Sequence, residues 1–115
     1  MSAVFNEKEL LDRIDNDWDF LGETVQMLSS DGPALMDEIR RAAGASDAAA
    51  LGKAAHTLKG MVANFCSPAT NAWAFEVEKI GRTGDLSKAP AAVKNLEAGL
   101  MVLISSLNDF VTTRS

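Results

Sequence analysis

Val93, Leu96, Leu100, Leu103, Leu107 and Phe110 recur at alternating steps of three and four residues. That spacing winds an apolar seam along one side of an α-helix, and a seam of this kind is stable in water only when other helices cover it. The rest of the chain supplies such helices. Leu21, Val25 and Leu28 repeat at helical spacing behind Asp17, a capping residue. After Asp31-Gly32-Pro33 the pattern resumes with Leu35, Met36 and Ile39. This stretch predicts either one kinked long helix or two in near succession, ending near Gly44. Ser46 or Asp47 can cap a third helix running to about Phe65. Ser67-Pro68 opens a fourth, with Ser as cap and Pro in the first turn, Trp73, Val77 and Ile80 on one face, and a stop between Gly81 and Gly84. Ser87 is the expected cap of the last helix, with Pro90 in its tolerant first turn.

A short leading helix from about Glu7 to Ile14 is expected ahead of these. Asn6 reads as its N-cap, Glu9 as the residue reaching back to close a capping box, and Phe5 as a staple against Leu10. No segment alternates with the period of a strand. The chain therefore predicts an all-α fold, an antiparallel four-helix bundle with a short additional N-terminal helix, as a single domain over residues 1–115.

Composition narrows the function classes. Apolar residues at 47% and charged residues at 23% place the chain among folded globular proteins. A net charge of −5 with scattered Lys and Arg argues against nucleic-acid binding, so a protein partner is expected. No apolar run approaches the ~18 to 20 residues of a spanning helix, and the first ten residues lack the order of a signal peptide. No membrane insertion and a cytoplasmic location are the expectations. The single cysteine, Cys66, rules out an intrachain disulfide and reads as a small buried residue.

His56 is the only histidine. At about 100° per residue, Leu51, Ala55, Leu58, Val62 and Phe65 point within roughly 40° of one direction, and His56 points about 140° away from it. The stripe predicts an exposed imidazole. Gly52 and Gly60 lie one turn to either side, with Ala49 and Ala63 beyond. Two glycines inside a helix each cost about 1 kcal/mol relative to alanine and ask for a reason, such as the close approach of another body. Lys53 and Lys59, three residues before and after, can place ammonium groups beside an anion carried on the ring. Gly52, Lys53, Gly60 and Ala63 are thus the candidate partner-facing residues.

A structural metal needs three or four ligands, and beyond His56 only Glu76 and Glu78 are at hand, so no metal site is expected. A hydrolytic triad needs a nucleophile and a concave oxyanion site, which a histidine on a convex helix lacks. The imidazole itself remains as nucleophile: a neutral ring has a lone pair that can attack phosphorus, and an ordinary exposed imidazole is a group that is neutral in part near pH 7.

Ala55-His56-Thr57-Leu58-Lys59-Gly60 resembles the signature of histidine-containing phosphotransfer (HPt) domains. The resemblance extends from the short leading helix to the Gly84-Asp85 turn. It implies a phosphocarrier of two-component phosphorelays in which His56 is phosphorylated from a receiver aspartate or a kinase and passes the group to another receiver. It implies that Lys59 lies near the phosphoryl group and that the small Gly60 leaves room for the receiver; Asn64 stands where the family often has Asn. Met61 and Cys66-Ser67 depart from the small residues usual there. The partners implied are response-regulator receiver domains or a hybrid sensor kinase. The chain has no nucleotide loop, so no cofactor of its own is expected, Mg²⁺ would come from the partner, and a monomer is the expected state. The alternative reading is a helical interaction or dimerisation module that binds receiver-like partners without transfer.

Overall fold

The computed structural model describes residues 4–114, and every regular element among them is helical. The order is α1 (Glu7–Arg13), α2 (Trp18–Gly44), α3 (Ala48–Val62), a 3₁₀ turn (Ala63–Phe65), α4 (Pro68–Thr83), a second 3₁₀ turn (Leu86–Lys88) and α5 (Ala89–Arg114). Helices α2 to α5 form a closed ring of neighbours in which α3 packs on α2 and α4, and α5 packs on the same two. Short connections make successive helices antiparallel.

The caps show why the helices begin where they do. The Asn6 side chain accepts from the Glu9 N–H at 2.9 Å, Asp17 from Phe20 at 3.0 Å and Asp47 from Ala50 at 3.1 Å. Asp47 is therefore the cap of α3, and Ser46 turns the chain with φ 56°. The capping box of α1 does not close. The Asn6 N–H donates to the Cys66 carbonyl at 2.9 Å instead of meeting Glu9, which ties α1 to the chain before α4. Phe5 and Leu10 are both buried, and the Phe5 ring meets Phe110 edge-on at 5.3 Å.

Helix α2 is one continuous helix through Pro33. Pro33 is exposed, so the missing N–H falls on the wet side, while Gly32 beside it is buried against Leu100 and Ile104 of α5. Ser67 precedes α4 at the cap position, but its hydroxyl donates to the Val4 carbonyl and lies 3.2 Å from the Thr70 hydroxyl instead of capping. The expected apolar face of α4 is rotated. Val77 and Ile80 are buried as read, whereas Trp73 is 38% exposed and the small Ala74 takes the inward place. The indole lies beside Gly99 of α5, where a Cβ would stand 3.9 Å from it, an ordinary contact. Gly84, with φ 79°, ends α4 by donating to the Ile80 carbonyl at 3.1 Å. Ser87 is not the cap of α5: it lies in the 3₁₀ turn, where its own N–H is held by the Asp85 carboxylate at 3.1 Å.

The α5 seam is the centre of the core. Val93, Leu96, Leu100, Leu103 and Leu107 are buried, and Phe110 is half-buried. Removing the Leu103 side chain, which is 0% exposed, leaves a cavity far from His56 in sequence. Leu103→Ala should cost about 2–5 kcal/mol in urea unfolding with helical content retained. A loss well under 1 kcal/mol would show that the seam is not the packed core described.

Candidate functional site: His56 and the buried carboxylate beneath it

Leu51, Ala55, Leu58, Val62 and Phe65 are all buried, and this stripe turns His56 outward with 66% of its side chain exposed. The imidazole stands midway along α3, on the side that α4 flanks. The two helices run antiparallel, so Gly52 faces Gly81, His56 faces Glu78, and Lys59 faces Phe75.

Glu78 organises what lies between them. It is 2% exposed, yet its carboxylate is surrounded by donors. His56 Nδ1 lies 2.9 Å from Oε2, Lys59 Nζ lies 2.7 Å from Oε1, and the Arg82 guanidinium, one turn along α4, donates to Oε2. Lys59 holds the Glu78 carboxyl below its ordinary value of 4.5; burial opposes this, and the hydrogen bond from His56 and the charge of Arg82 reinforce it. The group is therefore ionised at neutral pH, and an ionised carboxylate can only accept.

That fixes the tautomer. With an acceptor at Nδ1, the ring must carry its proton on Nδ1, which leaves the lone pair on Nε2. Nε2 is thus the free, water-facing nitrogen of an oriented imidazole, the atom able to form a bond to an electrophile.

Lys59 is half-buried and its ammonium also lies 4.8 Å from the centre of the Phe75 ring, with Lys79 on the same ring at 5.1 Å. Lys59 and His56 share the Glu78 carboxylate. Lys53 is exposed at the rim of a cleft of about 360 Å³ bounded also by Ala48, Gly52, His56 and Arg82. Gly60 is exposed, with open space where a side chain would stand. Gly52 is different. It is half-buried, and a Cβ there would meet the Gly81 Cα at 3.5 Å, so the body that approaches Gly52 is α4. Ala63 is exposed past the end of α3, where its carbonyl accepts from Arg13 at 2.9 Å. Glu76 pairs with Lys79 at 3.4 Å. Glu78 and Arg82 were not singled out as site residues from the sequence; the available signal was an acid on the inward stripe Ala74, Val77, Glu78, Gly81 with an arginine four residues on.

A helical bundle that presents one oriented imidazole to solvent at the edge of an open cleft is an architecture suited to carrying a transferable group. The family model of the Hpt domain matches residues 23–107, and the chain belongs to that family, the histidine phosphotransfer modules of two-component phosphorelays. The fold is similar to that of histidine-containing phosphotransfer protein B (HptB) from Pseudomonas aeruginosa PAO1, with a TM-score of 0.90 at 20% identity over 98% of each chain. It is also similar to the HPT domain of a sensor hybrid histidine kinase from Shewanella, with a TM-score of 0.82 at 19% identity over 96% of each chain. No curated protein sequence matches significantly. No helix among the described residues is long and apolar enough to cross a membrane.

Because the folded-state pKa of Glu78 is depressed, its contribution to stability is present above the ordinary value of 4.5 and is lost as pH falls through the folded value. Wild type should therefore be more stable than Glu78→Gln at pH 6 to 7, and the gap should close on acidification below 4.5 in urea unfolding at each pH. A gap that stays constant across this window would mean that the carboxylate is not ionised in the fold.

Proposed function

We propose that His56 is the phosphoacceptor of this Hpt domain, taking a phosphoryl group from the aspartyl phosphate of a receiver domain and handing it to a second receiver. The observation that carries the reading is the pairing of an exposed Nε2 with an Nδ1 held by the buried Glu78 carboxylate. Nε2 attacks phosphorus, the P–N bond forms, the acyl P–O bond breaks, and the receiver's aspartate leaves as a carboxylate. The ring then carries a positive charge, since Nδ1 keeps its proton, and Glu78 lies against that charge. Attack by the next receiver's aspartate reverses each change.

Lys59 supplies positive charge beside the phosphoryl group, and it can do so by leaving Oε1 of Glu78 for the phosphoryl oxygens. Gly60, Lys53 and Ala63 face the incoming receiver; the bare surface at Gly60 admits a close approach. The partner provides Mg²⁺ and the in-line geometry, and the bundle holds the imidazole still. Partners of the receiver or kinase class are what the Hpt family implies, and one structural neighbour is itself an HPT domain of a hybrid kinase.

Incubation with phosphorylated receivers tests the assignment. Wild type should acquire an acid-labile, base-stable phosphate, and His56→Gln should acquire none while keeping its helical circular dichroism. Label persisting on His56→Gln would move the acceptor elsewhere. Receiver binding without label on wild type, across a full set of phosphorylated receivers, would make the chain a non-transferring interaction module.

A further inference from the structure

The Glu78–His56 contact depends on how closely α3 and α4 approach, and that approach is set one turn away. Gly52 lies four residues before His56 on α3, and Gly81 lies three residues after Glu78 on α4. A Cβ built on Gly81 would stand 2.5 Å from both the Cα and the N of Gly52 and 2.9 Å from the Ala48 carbonyl oxygen. All three are helix backbone atoms and cannot turn aside. At the other glycines of the described chain, an added Cβ meets nothing closer than 3.5 Å. Gly81 is the one place where hydrogen alone fits.

Gly52 is not symmetric with it. A Cβ on Gly52 would lie 3.5 Å from the Gly81 Cα and 3.6 Å from the carbonyl oxygen of Glu78, which are ordinary contacts. The second distance matters for another reason: the peptide group of Glu78 itself rests on α3 beside Gly52. The crossing thus places both the backbone and the carboxylate of Glu78.

We propose that Gly81 is a positioning residue for phosphotransfer: its missing side chain lets α4 sit against Gly52, and that spacing delivers Glu78 Oε2 to His56 Nδ1. This deepens, and rests on, the assignment of His56 as phosphoacceptor. The magnitudes support it. Carbon atoms pack at about 3.5–4.0 Å, so a methyl at Gly81 must separate the helices locally by about 1 Å. The hydrogen bond of 2.9 Å then stretches past about 3.5 Å, where it no longer holds a tautomer. Glu78 does not simply follow the ring, because Arg82, on α4 with Glu78, holds Oε2 to that helix as the two part.

The test reads the ring directly. Imidazole ¹⁵N shifts of His56, recorded at about pH 8 where an ordinary ring is neutral, give the fraction protonated on Nδ1. Wild type and Gly52→Ala should both be predominantly Nδ1–H. Folded Gly81→Ala should lose that preference, and its phosphoryl transfer should slow about tenfold, the usual scale for a group that orients an imidazole. Added to Glu78→Leu, which leaves no acceptor for Nδ1, Gly81→Ala should slow transfer less than about twofold further, since its effect passes through Glu78. If Gly81→Ala loses its helical signal, Gly52→Val wedges the same crossing from its half-exposed side and is read in the same way. A folded wedge variant with the wild-type tautomer and rate would overturn the proposal, as would a full tenfold loss added to Glu78→Leu. The tautomer is measured without any partner, so it decides this proposal even if wild type accepts no phosphate, an outcome that would count only against the phosphoacceptor assignment.

Discussion

Glu78 places a negative charge on a side chain that is 2% exposed, and a charge so buried is tolerable only when donors enclose it. His56, Lys59 and Arg82 are those donors. The demand runs both ways. The carboxylate needs them to remain ionised inside the bundle, and they are oriented because the carboxylate gives each a fixed point. An exposed histidine alone samples rotamers and both tautomers; one anchored at Nδ1 presents a single nitrogen in a single direction.

The rest of the bundle supports that arrangement. The buried stripe of α3 fixes which way His56 faces, Asp47 fixes where α3 begins, and the α4 stripe sets Glu78 at its level. Helices α2 and α5 close the ring behind them, with Gly32 admitting Leu100 and Ile104 at their contact. Helix α1 seals one end: Leu10 is buried, the Asn6 N–H holds the Cys66 carbonyl, and Arg13 holds the Ala63 carbonyl. The α3 surface around Lys53 and Gly60 is left exposed, with open space at Gly60.

Much of this was legible in the sequence because helical periodicity reports burial directly. The α5 seam, the α3 stripe and the outward turn of His56 follow from spacing, and the Asn6 and Asp17 caps follow from side-chain chemistry. What periodicity could not give is the relation between helices. Trp73 was read inward because large apolar residues usually are, yet the adjacent Ala74 takes the buried place and the indole is 38% exposed. Ser87 looked like a cap, but it lies within the turn that precedes α5, and Asp85 is the cap of that turn. Gly52 was grouped with Gly60 because both flank His56 on one helix; only the position of α4 separates a glycine that packs from one that lies open. Glu78 was passed over for the same reason, since a carboxylate 22 residues from His56 becomes its neighbour only through the antiparallel register of α3 and α4.

The central claim is that Glu78 reserves Nδ1 of His56 and leaves Nε2 as the reacting atom. The most direct measurement is ¹⁵N and ³¹P NMR of the phosphorylated protein labelled at histidine, which assigns the P–N bond to one ring nitrogen. The account predicts phosphate on Nε2, with a proton retained on Nδ1. Phosphate on Nδ1 would contradict it, because that nitrogen could not bind phosphorus and donate to Glu78 at once.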